Sequence, residues 1–235
     1  MQPKIDVVFI PALLCDEQLY GDVISASSDQ ISPVVLMSPK PGLADSCADI
    51  LVRAPSKFIL VGTSYGGNLA LEIALAAPER VLGLWLMGCD PGAPQQGGPD
   101  LAGALEATPD GVIDMLAGLV VRPVDVASAS VFKQMAARVG SEAGAAQARA
   151  LASRNDRTGR LGELSMPTLL TWGAEDPLVA PSVGEAMAKR VPDATFHVID
   201  TCGHLPTLEQ PSQSAELLFG LIERVRADSP SSHPL

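Results

Sequence analysis

Histidine is scarce in this sequence, with three among 235 residues, and no two of the four cysteines form a C-x-x-C pair. That shortage argues against a structural zinc cluster built on Cys15, Cys47, Cys89 or Cys202. The cysteines read instead as four reduced thiols of a cytoplasmic protein. Long apolar runs are missing too. The best stretch is cut by Glu72, Pro78, Glu79 and Arg80, and falls short of the roughly 18 residues that a membrane span needs. The opening MQPKIDVVFIP has no apolar segment followed by a small-residue cleavage site, so no secretory signal is expected. Positive charge is in deficit: 16 Lys and Arg against 27 Asp and Glu leave a net charge of −11. A surface of that sign is a poor partner for nucleic acid or an anionic membrane.

What is present is the composition of a folded globular chain, 47% apolar and 18% charged, of a length that suits one domain with an insertion. The apolar, β-branched run IDVVFI (5–10) reads as a buried strand ended by Pro11. ISPVVLM (31–37) is a weaker strand because Pro33 sits inside it. KFILVG (57–62), VLGLWLMG (81–88), PTLLTWG (167–173) and ATFHVID (194–200) complete the set. Between them lie helical patterns at 43–54, 67–77, 181–191 and 208–226. Strands apolar throughout, alternating with helices, predict an α/β fold with a mostly parallel, doubly wound sheet. The rhythm stops after Asp90. Residues 91–159 are rich in Ala, Gly and Pro and read as a helical insertion, leaving 1–90 and 160–235 as the core.

The stretch ILVGTSYGGNLAL (59–71) holds Gly62-Thr63-Ser64-Tyr65-Gly66, a G-x-S-x-G between a predicted strand and a predicted helix. A sharp turn there strains the middle residue and needs small neighbours. It lifts the Ser64 hydroxyl to the rim of the sheet and leaves the Tyr65 N–H free for an anion. A phosphate-binding loop fits poorly, because Asn68 and Leu69 follow Gly67 where Lys and Ser/Thr are required. Without partners, the motif is also compatible with a turn that carries no chemistry.

A serine hydroxyl needs a base, and the base needs an orienting acid. His233 lies in the polar tail and His197 inside a predicted strand. His204 follows the last strand in DTCGHLPTLEQP, which puts it at the same sheet edge as Ser64. For the acid, Asp176 in TWGAEDPLV is favoured, with Glu175 as fallback and Asp90 as competitor after the strand 81–88.

With GTSYGG as the serine turn, WGAEDPLV as the acid turn, GHLPTLEQP as the histidine loop and the order Ser64, Asp176, His204, the sequence resembles the α/β-hydrolase superfamily. The resemblance covers most of the chain. It implies acyl transfer to water, no metal or organic cofactor, and a helical cap at 91–159. Near the N-terminus, FIPALLCDEQLY resembles the Leu-Pro-Gly-Leu-Leu-Cys-Asp segment of a bacterial subgroup of small, esterase-like hydrolases. By that resemblance the Leu13 N–H joins that of Tyr65 in an oxyanion hole. Ala12 stands where glycine is expected, and is strained if that backbone is left-handed.

The expected activity is hydrolysis of a small or medium carboxylic ester, a small-molecule substrate. Thioesters, lactones, a C–C bond beside a carbonyl, lyase chemistry, or a non-catalytic receptor are the alternatives. Leu105, Met115, Leu116, Val131, Phe132 and Met135 are candidates both for the cap's core and for pocket lining. Cationic and acidic residues are nearly balanced over 100–163, so a dedicated polyanion site is not expected there. Tyr65 is a further pocket candidate.

Overall fold

The computed structural model describes residues 3–94 and 97–228; His233 and the rest of the tail from 229 lie outside the described residues. Six strands form one sheet: β1 (Ile5–Ile10), β2 (Ile31–Val35), β3 (Phe58–Thr63), β4 (Val81–Met87), β5 (Thr168–Gly173) and β6 (Ala194–Ile199). Their order is β2-β1-β3-β4-β5-β6, and each neighbouring pair is parallel. Every residue of β3 and β5 is buried, as a parallel sheet covered on both faces requires. Successive side chains go to opposite faces. Val7, Phe9, Ile59, Val61 and Trp85 join one core, and Val8, Ile10, Leu60, Leu84 and Leu86 the other.

The helices cover the sheet in two layers. α1 (Gly21–Ala26) and the last helix, α10 (Pro211–Asp228), pack on the first face through Val23, Leu218, Leu221 and Ile222. α2 (Leu43–Arg53), α3 (Tyr65–Ala76) and α8 (Pro181–Ala188) pack on the second through Ile50, Leu69, Ile73 and Met187. Between β4 and β5 run α4 (Leu101–Ala107), α5 (Pro109–Ala117), α6 (Val126–Val139) and α7 (Ser141–Ala152), with no strand among the described residues. α9 (Pro206–Glu209) precedes α10.

Two sequence signals acquire a physical explanation here. Pro33 is tolerated because β2 is an edge strand, where a missing N–H breaks no second ladder. The pattern at 208–226 predicts one helix, but the chain forms α9 and α10, separated at Gln210, which has φ −135°. Gln210 precedes Pro211, and the residue before proline is pushed out of the helical region. The short 3-10 helix Glu17–Tyr20 and α1 carry no strong periodicity and are not anticipated by the sequence.

Sheet order locates the site. The chain leaves β1 for β2 on one side and later returns as β3 on the other, so the loops after β1 and β3 diverge at their carboxyl ends. Such a switch point opens a crevice. Its two walls are the segment after Ile10 and the turn at Ser64. Tyr20 ties them together: its hydroxyl donates to Ile10 O at 2.8 Å and lies 2.9 Å from Thr63 Oγ1.

Candidate active site

Ser64 has φ 55° and ψ −116°, an unfavourable backbone for a residue with a Cβ. The turn is held from both sides. Ser64 N donates to Met87 O at 2.8 Å, and Ser64 O accepts from Asn68 N at 3.0 Å. Gly66 is required by close approach, since a Cβ there would strike the carbonyl oxygens of Ile10 and Pro11. Because Tyr65 is the first residue of α3, its N–H has no intrahelical partner. Its ring turns away from the crevice: Tyr65 is buried in the second core and its hydroxyl donates to Ser38 O at 3.2 Å. The expectation that this ring lines the pocket is therefore corrected.

His204 is buried, with Nδ1 2.7 Å from Asp176 Oδ2. Where the carboxylate accepts this bond, the ring proton sits on Nδ1 and Nε2 is left as an acceptor. The second oxygen of Asp176 is also fixed. Oδ1 accepts from Leu178 N at 2.9 Å and Val179 N at 3.0 Å. Glu175 is half exposed and pairs with Arg122 at 3.3 Å. Asp90 accepts from Gly92 N at 2.8 Å and lines a different cavity. Among these three carboxylates, the one that meets His204 is Asp176. His197 is exposed on edge strand β6.

Ser64 and His204 line one cavity of about 170 Å³, together with Ala12, Leu13 and Cys15 from the segment after β1. Its far wall is apolar: Leu101, Leu116, Val120, Phe132 and Leu151, with Leu178 and Leu205 beside them. Of the six candidates, Leu116 and Phe132 line this space, Leu105 and Met135 are fully buried in the core, Val131 is partly buried against it and Met115 is half exposed. Burial, with help from Asp16, pushes the Cys15 thiol well above its ordinary range, so it stays neutral. Ala12 is not left-handed; the strained residue is Leu14, at φ 61°. Its N–H donates to the buried Gln147 Oε1 of α7 at 2.9 Å.

Sequence reasoning missed several supporting residues. Gly88 has φ 52°, and a Cβ there would stand 3.0 Å from His204 Cε1 and 3.3 Å from Asp176 Oδ2. Glu209 accepts from Gly203 N and Arg122 N, both at 2.9 Å, joining the histidine loop to the segment before α6. His204 N also donates to Val120 O at 3.2 Å. Arg138 grips the buried Asp16 with two bonds, of 2.6 and 3.1 Å. GHLPTLEQP contains Glu209, and its short spacing from His204 is the one sequence signal available for it. Among the described residues, no group of three or more His, Cys, Asp or Glu is placed to hold a metal ion, and no helix is long and apolar enough to cross a membrane.

A family model described as alpha/beta hydrolase fold matches residues 55–211. A 2-hydroxy-6-oxononadienedioate/2-hydroxy-6-oxononatrienedioate hydrolase of Paraburkholderia xenovorans is 32% identical over 166 residues. That alignment takes in 62% of this chain and 55% of the relative, so the chain spans little more than half the relative's length. Among solved structures, a thermophilic esterase from Thermogutta terrifontis superposes with a TM-score of 0.81 at 22% identity, over 96% of this chain and 92% of its own. An enol-lactonase from Burkholderia xenovorans gives 0.85 at 13% identity, over 94% and 92%. At those identities the two structures speak for the fold alone.

Proposed function

Because this chain belongs to the α/β-hydrolase family, we propose that it is a carboxylic ester hydrolase in which Ser64 is the nucleophile, His204 the base and Asp176 the orienting acid. The observation that carries this reading is the pairing of a buried His204–Asp176 contact with a cavity that both Ser64 and His204 line. Nε2 of His204 takes the Ser64 proton as Oγ attacks the carbonyl carbon of the substrate. Asp176 holds the ring in the required tautomer and favours the imidazolium that forms. The negative oxygen settles against the N–H groups of Leu13 and Tyr65. Removing one such donor typically slows the reaction by about 100- to 1,000-fold. His204 then gives its proton to the leaving alcohol, and water, deprotonated by the same ring, releases the acid from Ser64.

Cleavage of a C–C bond beside a carbonyl is the second reading, favoured by the sequence relatives. Their named substrate is a dioate, and no lysine or arginine lines the cavity of Ser64. The ester reading therefore fits the wall chemistry better. The test is hydrolysis of p-nitrophenyl butanoate, beside 2-hydroxy-6-oxononadienedioate, by wild type and Ser64→Ala. The ester should turn over with wild type and fall by about 1,000-fold or more in the variant. Equal rates for the two proteins reject the nucleophile. Faster turnover of the dioate transfers the assignment to the C–C reading, and binding without turnover transfers it to a receptor.

A further inference from the structure

We infer that the cavity selects an uncharged, apolar acyl group of about four to six carbons and rejects an acyl chain that ends in a carboxylate. This rests on the serine-hydrolase reading and adds the substrate class to it.

Size is the first argument. At about 170 Å³ the space is close to that of an apolar protein cavity of roughly 150 Å³ that stays dry and takes up benzene. A butanoyl to hexanoyl tail, or a phenyl ring, has that bulk. Longer chains must leave through the mouth or push apart a packed wall, and packed interiors resist expansion.

Charge is the second. Besides Ser64 and His204, the wall offers hydrocarbon and the neutral thiol of Cys15. Arginines between β4 and β5 are engaged elsewhere: Arg138 is held by Asp16, Arg157 by Glu72, Arg122 by Glu175 and Arg154 by the carbonyls of Gly92 and Leu151. A carboxylate placed in this space would lose its water and gain no counter-ion, which is strongly unfavourable.

Direction is the third. The leaving alcohol must lie near Nε2 of His204, which protonates it. Leu178, two residues after Asp176, is 43% exposed and marks the open end on the histidine side. Cys15, Leu116 and Phe132 are buried, so the closed end is assigned to them. The acyl tail therefore takes the closed end and the alcohol faces the mouth.

The experiment measures kcat/KM of the wild-type chain for p-nitrophenyl esters from acetyl to dodecanoyl, for butanoates of alcohols from methyl to hexyl, and for p-nitrophenyl adipate beside p-nitrophenyl hexanoate. The acyl series should peak between butanoyl and hexanoyl and drop by about tenfold or more at decanoyl. The alcohol series should stay within about threefold, and adipate should fall about 100-fold below hexanoate. Leu116→Ala, which opens the closed end, should move the acyl optimum to longer chains. An acyl series flat to dodecanoyl, an optimum found in the alcohol series instead, or adipate equal to hexanoate overturns the inference. A separate readout is the Tm of Ser64→Ala. Ethyl hexanoate should raise its Tm and monoethyl adipate should not. A rise with both or with neither rejects the inference even where the kinetics reject the nucleophile.

Discussion

Nδ1 of His204 lies 2.7 Å from Oδ2 of Asp176, with both side chains almost wholly shielded from water. Two backbone N–H groups hold the other oxygen of the carboxyl, so neither partner is free to swing. Replacing Asp176 by Asn keeps the shape but places an amide donor or a weaker acceptor against Nδ1. We expect kcat to fall by about 10³- to 10⁴-fold. Asp90→Asn, whose carboxyl lines another cavity, should stay within about twofold of wild type. Ester kinetics on both variants check this, and a collapse confined to Asp90→Asn would reverse the assignment.

Gly88 sits at φ 52°, where an added Cβ would meet the His204 ring. Alanine at this position brings a methyl group within 3.0 Å of Cε1, against a ring that Asp176 already anchors. The ring must shift, and small displacements of reacting groups cost about 100-fold in rate. Gly88→Ala should therefore lower kcat far more than it lowers Tm. Full activity in a folded variant refutes the idea.

Glu209 supplies the pH dependence. Its carboxyl accepts N–H bonds that favour the ionised form, yet burial outweighs them and holds its pKa above the ordinary 4.5. A carboxyl raised on folding binds its proton more readily in the native state than in the unfolded one. Stability from this group is therefore greatest below pH 4.5 and declines as pH rises through the elevated folded value. Glu209→Gln removes that titration. The stability of wild type relative to Glu209→Gln should be larger in acid than at neutrality, as read by urea unfolding across the pH range. A constant difference would exclude the linkage.

Gln147 of α7 holds the Leu14 amide, and both groups are buried. In Gln147→Leu that N–H loses its acceptor, and we expect a loss of about 1–3 kcal/mol. An unchanged urea midpoint in the leucine variant would show that the bond contributes nothing.

What short stretches of sequence determined is local. GTSYG encodes a strained strand-to-helix turn, because tight backbone approaches demand glycine within a few residues of the serine. The apolar strands encode a sheet covered on both faces, because period and hydrophobicity are properties of consecutive residues. What the tertiary structure alone decided is convergence. Glu175, Asp176 and Asp90 all follow strands, and only the packing of the histidine loop against β5 brings Asp176 to His204. Leu14 rather than Ala12 takes the left-handed backbone, and Gln147, more than a hundred residues away, receives its N–H. Phe132 lines the cavity while Met135, one turn on along α6, fills the core. Spacing states which residues share a face of one helix; which neighbour that face meets depends on the order of strands and helices assembled around it.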